Sequence, residues 1–589
     1  MSTSLATTDQ ENLLDTARTE DLSDQQFLNC FAETERERDI ILKLKGTGAH
    51  LLEGPRGVGK SSLMKKAELE LDNEFHKNQV VGVYVSFKAS LLVDAGNSEL
   101  GYDPFLCWVA AKVLDGFLKK CRSLQFLTAD EISNRYSRLF AVTLDPSASS
   151  LEALVRDLQT LTVAASPEMR KETVERLKDG KLAQFTNADS VAEFVRGVIT
   201  EHKLNRVNFL FDEAAHTFDE QQQEMFFQFF KLLHGNQIAV KAATYPGITS
   251  YGGNFELGHD AVRISMGGIT ENISSAIESL RKHFRELLQK RVPGPLYGKL
   301  TKSGEALDLL ILLSNGNTRV FLQTVSKWQS SGEFSKRSAL SASNSYVASE
   351  LTSYHSGLKS RLPRFSSHID LGLSLIKAHI VPELQKKNEG KGDSPALQTV
   401  YFTIDSLIPY KVQRALTLLE YSGFLYDKDV VKTAGRKQAR RYALNLGIAA
   451  NEKVFHSSFS RDPDRAIKLL SLTDYREFYA SDDRFEELVN SHPNSESCPN
   501  GHPRKADGAF CPVCGLKFSA DKIVDKLLSD SVTNLDLTAF LIETLIAKLN
   551  ANVVGDVLRL TESQIRTAKW IGEIRAREII NAAEEYISG

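Results

Sequence analysis

A glycine-rich segment, GPRGVGKS at Gly54–Ser61, constrains this chain more than any other stretch. Ala49–Glu53 before it is typical of a short buried strand, and Ser62–Leu71 after it is typical of an amphipathic helix. Glycines in such a turn let backbone N–H groups converge on a polyphosphate, and the helix N-terminus adds partial positive charge. Strand, glycine loop and helix together predict a phosphate-binding loop. The residues expected to line it are Gly54, Pro55, Arg56, Gly57, Val58, Gly59, Lys60, Ser61 and Ser62.

Two acids at the end of a later apolar run complete the predicted nucleotide site. Lys60 is placed to reach the β- and γ-phosphates of ATP, and the Ser61 hydroxyl is placed to bind Mg²⁺. Arg206–Ala214 (RVNFLFDEA) is weak evidence alone, because many strands end in acids, but it becomes a strong signal after a phosphate-binding loop. Asp212 would join the Mg²⁺ shell, and Glu213 would polarise the attacking water. Hydrolysis, and not only binding, is therefore expected.

Two polar residues farther along the chain are candidate nucleotide sensors. The strand-like run Ile238–Thr244 ends in Thr244, which either senses the γ-phosphate or merely caps the strand. In Ser314–Phe321 (SNGNTRVF) the Gly-Asn pair breaks one helix and Arg319 opens the next. That arginine either reaches back to the phosphates or is a solvated residue at a helix start. The candidate catalytic residues are Lys60, Glu213, Thr244 and Arg319.

Composition excludes several classes of protein. The 589 residues suffice for roughly three or four domains. The net charge of -3 gives no global attraction to nucleic acid or to anionic membranes, so any nucleic-acid site must be a local patch. No apolar run reaches about 18 residues, and the polar N-terminus lacks the features of a signal peptide. We expect a cytoplasmic protein without a membrane partner, in which Cys30, Cys107 and Cys121 are small buried residues.

Residues 27–340 resemble an AAA+-type ATPase of the branch that holds origin-recognition and STAND-like proteins. The resemblance rests on GPRGVGKS, on FLFDEA, on the strand to Thr244 and on the GNTR segment. It implies a parallel α/β core with a helical lid at about residues 270–340, ATP with Mg²⁺, and a nucleotide-driven switch. The chain departs from the family in the long spacing between its two nucleotide motifs. Whether the chain forms an ATP-dependent homo-oligomer stays an open question, because no arginine finger stands out among Arg263, Arg281, Arg285 and Arg291.

The flanking and following segments suggest further modules. Residues 1–26 are typical of a flexible tail, and residues from about 90 to 200 show helical periodicity that we interpret as an insertion in the core. Residues 365–450 carry a helix at Tyr410–Tyr421, a Ser-Gly stop and a basic hairpin. This order resembles a winged helix.

The winged-helix-like segment is a candidate DNA-binding module. Its positive side chains can meet phosphates, and two of them lie on the helix that would enter a groove. The alternative is a protein-contact or lid element with a solvated basic loop. The candidate DNA contacts are Lys411, Arg414, Arg436, Lys437, Arg440 and Arg441.

Four metal ligands are grouped in residues 495–520, after an acidic segment at 455–490 that we expect to be a helical connector. The sequences CPNGH and CPVCG contribute Cys498, His502, Cys511 and Cys514. Four such ligands form a closed tetrahedral Zn²⁺ site, so the pattern predicts a zinc ribbon with structural zinc. Free thiols are the alternative, and disulfides are disfavoured in a reducing compartment.

Residues 530–589 are expected to form a compact helical module. WIGEIRAREI resembles a helix-hairpin-helix turn and, with LIAKLNANVVGDVLRLTE, the C-terminal domain of the bacterial RNA polymerase α subunit. In both families a glycine turn and a helix N-terminus hold a DNA phosphate. Gly572, Arg575 and Arg577 are the candidate DNA contacts. Because Glu573 and Ile574 stand where DNA binders often carry basic residues, protein interaction is the alternative.

Two functions compete for the whole chain. The first is an ATP-switched protein that acts on double-stranded DNA, in replication, transposition, transcription or anti-phage defence, together with a protein partner or effector. The second is a STAND-like signalling ATPase whose C-terminal modules bind proteins, although the chain has no repeat array. A scaffold with a degenerate ATP site is disfavoured by the intact motifs. The expected fold is multidomain: an α/β nucleotide core with a helical lid, a winged helix, a zinc ribbon and a small all-α module.

Overall fold

A computed structural model describes most of the chain. The described residues are 12–14, 19–88, 93, 100–128, 131, 149–163, 167–177, 187–213, 220–267, 273–362, 365–389, 398–405, 408–432, 438–456, 476–478, 483–492 and 527–588. The chain divides into two compact units. The sheet unit comprises Arg36–Glu53, Lys60–Ser265 and Ser519–Gly589. The lid unit comprises Met1–Glu35, Gly54–Gly59 and Met266–Phe518.

Strands and helices alternate in the first half of the chain, and helices dominate the second. The strands are β1 (His50–Glu53), β2 (Val80–Ser86), β3 (Arg206–Asp212), β4 (Ile238–Thr244), β5 (Val262–Ser265), β6 (Tyr401–Asp405), β7 (Leu425–Lys432), β8 (Gln438–Leu444) and β9 (Arg476–Phe478). The α-helices up to residue 313 are α1 (Asp24–Cys30), α2 (Glu35–Lys45), α3 (Lys60–Asn78), α4 (Pro104–Ser123), α5 (Ser149–Val163), α6 (Pro167–Leu177), α7 (Ala188–Glu201), α8 (Glu220–Leu233), α9 (Ile273–Arg291), α10 (Gly294–Lys302) and α11 (Gly304–Leu313). The later ones are α12 (Thr318–Ser330), α13 (Lys336–Tyr346), α14 (Thr352–Arg361), α15 (Ser366–Ser374), α16 (Val381–Glu389), α17 (Tyr410–Tyr421), α18 (Leu446–Asn451), α19 (Asp483–Ser491), α20 (Ala539–Leu549), α21 (Val554–Arg559), α22 (Glu562–Ile565) and α23 (Glu573–Ser588).

The sheet unit is built on a parallel sheet with strand order β2-β3-β4-β1-β5. The apolar runs of β3 and β4 are buried along almost their whole length, as expected for central parallel strands. The register pairs Ser86 with Asp212 and Glu53 with Thr244, so the carboxyl ends of the strands meet at one edge. The predicted α/β core is confirmed.

Aromatic side chains fill the space between the sheet and its helices. Phe209 and Phe211 of β3 stack with ring centroids 5.7 Å apart, and Phe211 meets Phe226 of α8 edge-on at 5.7 Å. The α8 phenylalanines are therefore core residues, as their helical spacing predicts. In the expected insertion the structure describes helices α4 to α7, and α4 packs against β2.

Buried polar groups close the carboxyl end of α2 and position β1. The amide of Asn208 donates to the carbonyl oxygen of Lys45 (2.9 Å), and the ammonium of Lys241 donates to that of Gly46 (2.6 Å). These bonds satisfy carbonyls that have no partner within the helix. Burial lowers the pKa of Lys241 to about 7.

The lid unit has one hydrophobic core shared by helices α9 to α13 and by a second sheet. That sheet has the order β7-β8-β6-β9, with β7 and β6 both antiparallel to β8. The predicted helix at Tyr410–Tyr421 and the hairpin after it are present as α17, β7 and β8. Two π-helical turns, Val347–Leu351 and Leu375–Ile380, interrupt the helices of this unit.

The expected helical connector contains a strand. β9 (Arg476–Phe478) pairs in parallel with β6, and α19 follows it and packs against α15 and α17. The prediction was wrong here because a short polar strand is fixed by pairing at a sheet edge, which local periodicity does not report. Residues 457–475 lie outside the described residues.

Part of the expected flexible tail is packed. Leu14 is fully buried in the core of the lid unit, and the N–H of Leu13 donates to the carbonyl oxygen of Arg291 (2.9 Å). A short 3₁₀ turn, Thr19–Asp21, precedes α1. The apolar Leu13-Leu14 pair is the sequence signal that a polar composition concealed.

The last helices form a compact module within the sheet unit. Helices α20 to α23 surround their own small core, which includes Leu541, Leu545, Val554 and Ile579. The hydroxyl of Tyr586 on α23 donates to Asp530 (2.8 Å) and ties the two ends of the module together. A 3₁₀ turn, Val532–Asn534, precedes α20. Within the described part of the chain, no helix is long and apolar enough to cross a membrane.

Candidate functional site

The phosphate-binding loop belongs to the lid unit and needs glycine at three positions. Gly57 and Gly59 have φ of +83° and +92°, in the left-handed region that glycine adopts without strain. Gly54 is restricted by space, because a Cβ there would lie 2.6 Å from the carbonyl oxygen of Met266. Turn geometry and close approach therefore explain the glycines of the motif.

The turn Ser314–Asn317, between α11 and α12, contacts this loop within the lid unit. The Asn317 side chain caps α12, and its amide donates to the carbonyl oxygen of Arg56 (2.9 Å). The backbone N–H of Arg319 donates to the carbonyl oxygen of Gly57 (3.4 Å). The helix that Arg319 opens thus begins directly on the loop.

Lys60 is the first residue of α3 and belongs to the sheet unit. Only 5% of Lys60 is exposed, and its ammonium nitrogen lies 3.9 Å from the centroid of the Tyr245 ring. The ring quadrupole attracts a cation in that position. Because Tyr245 directly follows β4, the contact places the Lys60 ammonium at the carboxyl edge of the sheet. Ser61 and Ser62 come next on α3 and are half-buried.

Asp212, the last residue of β3, is buried and oriented from two sides. The Tyr84 hydroxyl donates to its Oδ2 (2.5 Å), and the backbone N–H of Glu213 donates to its Oδ1 (3.0 Å). Donors on both oxygens fix the direction of the carboxyl group. Asp212 is therefore held in one orientation at the carboxyl edge.

Glu213 follows in a strained backbone conformation. Its φ is +56°, which is uncommon for a residue with a side chain, and the residue is 9% exposed. Its Oε2 lies 3.5 Å from the Ser86 hydroxyl, which donates to it from the neighbouring strand. Strain of this kind is maintained by surrounding structure and concentrates at functional sites.

Thr244 ends β4 beside these acids with a buried polar group. The residue is fully buried, and its hydroxyl has no hydrogen bond of normal geometry. The Tyr251 hydroxyl is its neighbour, and burial, with a further contribution from Glu53, raises the pKa of Tyr251 to about 12. A buried hydroxyl normally has a hydrogen-bond partner, so either the Tyr251 hydroxyl or a bound ligand would complete that of Thr244.

The sheet-unit residues fit ATP with Mg²⁺. Mg²⁺ is bound by hard oxygen donors, which Asp212 and Ser61 supply, and a polyphosphate is bound by an ammonium such as Lys60. The buried Thr244 hydroxyl is the structural observation that argues for the fit, since an oxygen-rich ligand would satisfy it. Asp212 and Ser61 would hold the metal, whose positive charge would neutralise phosphate oxygens.

Tyr84→Phe is expected to weaken Mg²⁺ binding without unfolding the sheet. The phenyl ring keeps the packing, while Asp212 loses the donor that fixes its Oδ2, a bond to a charged group worth about 1.5–3 kcal/mol. We expect the Mg²⁺ concentration for half-maximal thermal stabilisation in ATP to rise about 10-fold. Tyr297→Phe is the control, and an unchanged Mg²⁺ midpoint would remove Tyr84 from the site.

All four arginines considered as a finger have intramolecular contacts or are buried. Arg281 and Arg285 pair with Asp308 at 3.2 and 2.6 Å, and Arg291 is buried, which lowers its pKa. Arg263 is 56% exposed and pairs with Glu53 at 3.1 Å. Of the four, Arg263 is the most accessible to another molecule.

The candidate DNA contacts on α17 are engaged within the chain. The Lys411 ammonium donates to the carbonyl oxygen of His492, after α19, and the Arg414 guanidinium lies 4.6 Å from the centroid of the Phe365 ring. On the hairpin, Arg440 is half-exposed and pairs with Asp427 (3.1 Å), and Arg441 is half-buried. Arg436 and Lys437, between β7 and β8 in the sequence, lie outside the described residues.

The C-terminal candidates also have intramolecular partners. Arg577 pairs with Glu573 one helical turn away. Arg575 donates to the carbonyl oxygen of Trp570 (2.7 Å) and lies 5.5 Å over the Phe540 ring. Gly572 is exposed, and nothing lies within 4 Å of the position a Cβ would take.

The predicted zinc ligands Cys498, His502, Cys511 and Cys514 lie outside the described residues. Within the residues that the structure covers, no group of three or more His, Cys, Asp or Glu side chains could hold a metal ion. Cys30, Cys107 and Cys121 are buried free thiols, as expected.

Sequence reasoning missed four residues that contact predicted site residues of their own unit: Tyr84, Ser86 and Tyr245 in the sheet unit and Asn317 in the lid unit. Tyr84 and Ser86 alternate on β2, whose period of two directs both side chains to the same face. Asn317 occupies the N-cap position of α12, where Asn is strongly preferred. Those two patterns were available as signals, whereas nothing local indicated Tyr245.

The parallel sheet with its surrounding helices fits the α/β core of a P-loop protein. Residues 12–292, just under half of the chain, match the ORC-CDC6-like family, which supports an origin-recognition-like AAA+ ATPase. The match ends before α12, so it does not include Arg319. A search of curated proteins gives no match. The structure of the Aeropyrum pernix ORC1 protein in complex with DNA aligns with 75% of this chain and 95% of its own at 14% identity, with a TM-score of 0.28 that carries no argument about fold.

Proposed function

We propose that this chain is an ATP-binding and ATP-hydrolysing switch that acts on, or is recruited to, DNA. The observation that carries the proposal is the turn Ser314–Asn317, which contacts the phosphate-binding loop on one side and the β6–β8 module on the other. The match of residues 12–292 to the ORC-CDC6-like family supports the ATPase part. The basic hairpin supports the DNA part.

On one side of the turn, Asn317 and Arg319 form hydrogen bonds with the phosphate-binding loop. Both contact loop carbonyl groups, so a change in loop conformation changes contacts at the start of α12. The space is tight, because a Cβ at Gly57 would lie 2.9 Å from the Asn317 side chain and 3.0 Å from that of Arg319. Close packing of this kind transmits displacement instead of absorbing it.

On the other side of the turn, Asn315 reaches the module that carries the hairpin. Its side-chain oxygen accepts from the N–H of Leu446 (3.2 Å), the first residue of α18 after β8. Asn315 is 4% exposed and has a φ of +54°. A buried turn of four residues therefore has one polar contact toward the loop and another toward the hairpin.

A second set of contacts connects the phosphate-binding loop with the module that carries the hairpin. The Arg56 guanidinium lies 5.3 Å from the centroid of the Tyr354 ring on α14. The Tyr354 hydroxyl donates to that of Tyr421 at the end of α17 (3.0 Å), and the neighbouring His355 contacts Ser422 (2.7 Å). Burial lowers the pKa of His355 to about 4, so it stays neutral in this contact.

We assign the nucleotide roles from the sequence motifs. The loop amides and Lys60 would bind the phosphates, Ser61 and Asp212 would hold Mg²⁺, and Glu213 would orient and deprotonate the attacking water. Thr244 and Arg319 would report the γ-phosphate. A ligand shifts a conformational equilibrium only through differential contacts, and the loop contacts of Asn317 and Arg56 supply them.

We interpret α15–α17 with the β6–β8 sheet as a winged helix whose wing contacts DNA phosphates. Because α17 uses Lys411 and Arg414 internally, the wing residues Arg436, Lys437, Arg440 and Arg441 carry the DNA part of the proposal. The same internal contacts favour a second candidate, a STAND-like signalling ATPase whose C-terminal modules bind protein.

The test is the ATPase rate with and without double-stranded and single-stranded DNA, with direct DNA binding, at two salt concentrations. The proposal expects ATPase stimulation by DNA and DNA binding that weakens steeply with salt, because phosphate contacts release counterions. An ATPase that neither binds DNA nor responds to it would move the assignment to the signalling candidate.

Asn315→Gly is expected to uncouple DNA binding from the nucleotide. Glycine adopts the same positive φ, so the turn survives while Leu446 loses its acceptor. We expect the ratio of DNA affinities with a non-hydrolysable ATP analogue and with ADP to fall about 3- to 10-fold, corresponding to a coupling of about 1 kcal/mol. Asn451→Gly is the control, and equal ratios in all three proteins would contradict the role of the turn.

We also propose a structural zinc site at Cys498, His502, Cys511 and Cys514. Metal analysis is expected to find about one zinc per chain. Replacement of Cys511 and Cys514 by Ser should remove it and lower the unfolding temperature of the C-terminal region, because binding of a structural metal is folding free energy. Cys121→Ala should keep the metal, and a zinc-free wild-type protein would end the proposal.

A further inference from the structure

The C-terminal module exposes apolar side chains at one hairpin. Trp570, Ile574 and Phe540 are 71%, 64% and 44% exposed, and Trp570 has the largest exposure of any large apolar residue described. Trp108 and Trp328, the other tryptophans of the chain, are fully buried. Scattered exposed leucines need no explanation, but a group that contains an exposed tryptophan does.

The backbone holds Trp570 outward at a conformational cost. Its φ is +73°, a genuine outlier for a bulky residue, where glycine or asparagine would be relaxed. The next residue, Ile571, is 6% exposed and anchors the turn in the module core. A positive φ at tryptophan is strained, and such strain concentrates at functional positions.

Two cations connect the exposed rings into one surface. Arg575 donates to the carbonyl oxygen of Trp570 (2.7 Å) and lies 5.5 Å from the centroid of the Phe540 ring. The Lys569 ammonium lies 5.3 Å from the centroid of the Trp570 ring. The nearby Glu573 is paired with Arg577, so its charge is neutralised along α23. The surface is therefore apolar with a positive rim.

We infer that this surface, which we term the Trp570 tip, docks a protein segment that presents aliphatic or aromatic side chains among acidic ones. Tryptophan and arginine are the residues most enriched at the energetic centres of protein interfaces. An acidic rim on the partner would complement Lys569 and Arg575. The inference goes beyond the proposed switch and does not depend on it.

DNA fits the tip less well. A phosphate at the start of α23 would meet the Glu573 carboxylate and the exposed Ile574 side chain instead of free donors. Arg575 and Arg577, the basic residues there, are held by Trp570 and Glu573. The geometry thus favours the protein alternative for this module.

Tryptophan fluorescence of the full-length protein measures occupation of the tip directly. Because the other two tryptophans are buried, acrylamide quenching reports mainly on Trp570. The positive rim should make iodide a stronger quencher than caesium. The probes are 12-residue peptides with Leu and Phe at helical spacing among Asp and Glu, a matched set with Lys in place of the acids, and single- and double-stranded DNA.

The acidic peptides are expected to shift Trp570 emission to the blue and to reduce its quenching. Ile574→Glu, which keeps the reporter and changes an exposed side chain, should weaken peptide binding about 10-fold or more. Leu42→Glu, at an aliphatic residue 52% exposed on α2, should leave peptide binding unchanged.

Four results would overturn the inference. Protection by DNA without protection by acidic peptides would make the tip a nucleic-acid surface. Protection that grows with protein concentration alone would make a second copy of this chain the occupant. Equal binding by Ile574→Glu and wild type, or no protection by any probe, would leave the tip without a docking role. ATPase activity should be unaffected by Ile574→Glu, which separates this test from that of the proposed switch.

Discussion

Glu213→Gln is expected to bind ATP with near-normal affinity and to hydrolyse it about 10²- to 10⁴-fold more slowly. General-base catalysis by a positioned carboxylate contributes about that much, and glutamine cannot accept the proton from water. The amide has the same shape, and Ser86 can still donate to its oxygen. The backbone N–H at this position still donates to Asp212, because that bond does not involve the side chain.

Single-turnover hydrolysis and ATP binding must be measured separately for this variant. Binding is measured by titration with labelled ATP in the presence of Mg²⁺, and chemistry by product formation with enzyme in excess. Glu193→Gln, an exposed glutamate on α7, is the matched control. Normal single-turnover hydrolysis by Glu213→Gln would mean that another group activates the water.

The Glu213→Gln variant also separates the effect of ATP binding on DNA affinity from the effect of ATP cleavage. If bound ATP sets the conformation of the turn Ser314–Asn317, then a protein that binds ATP without cleaving it should keep the DNA affinity of the ATP-bound state. A ligand that is not turned over acts as a steady bias on the equilibrium. Rapid return to the ADP affinity would show that the loop contacts of Asn317 do not follow the γ-phosphate.

The phosphate-binding loop and the main strands were predictable because their signals are local. GPRGVGKS requires a fixed turn, and the apolar runs to Asp212 and Thr244 are long enough to be central strands. Because the strands of such a core are parallel, their carboxyl ends meet at one edge of the sheet. The acids that follow β3 were therefore expected at that edge.

The contacts that orient the site could not be predicted in the same way. Tyr84 and Asp212 are 128 residues apart, and Asn317 and Arg56 are 261 apart. No local pattern specifies which hydroxyl or amide of a folded chain will meet a given carboxylate or carbonyl. Those partners are set by tertiary packing, and a single sequence does not encode them in readable form.

The charges on α17 show a limit of a different kind. Lys411 and Arg414 carry the right charge at the right helical spacing for a groove-facing surface. However, α19 packs beside that helix, and Lys411 donates a hydrogen bond to the carbonyl oxygen of His492. The prediction assumed that a basic helix face is solvated. The segment containing β9 and α19 was expected to be a connector, so its covering role could not be anticipated.

Lys60→Ala is expected to abolish detectable ATP binding at concentrations that saturate the wild type. The ammonium would make charge-assisted hydrogen bonds to phosphate oxygens, each worth about 1.5–3 kcal/mol. Loss of about 3 kcal/mol weakens affinity about 10²-fold, and turnover would fall at least as far. The thermal stabilisation that Mg²⁺ and ATP give should disappear with it, since it depends on the ratio of ligand concentration to Kd.

Lys60 is also a packing residue, so the fold of this variant must be checked without nucleotide. The side chain is almost fully buried and its ammonium lies over Tyr245, which means that alanine removes a cation–π contact of about 1–2 kcal/mol. Lys60→Met keeps the aliphatic stem and removes only the charge, and Lys66→Ala, at a half-buried lysine of the same helix, is the control. The backbone amides of the loop, which would bind phosphate, remain in all three proteins. ATP binding that survives in both Lys60 variants would therefore show that these amides suffice and that Lys60 stabilises the fold. Loss in both, with unfolding temperatures near that of the wild type for Lys60→Met, would assign the missing affinity to the ammonium itself.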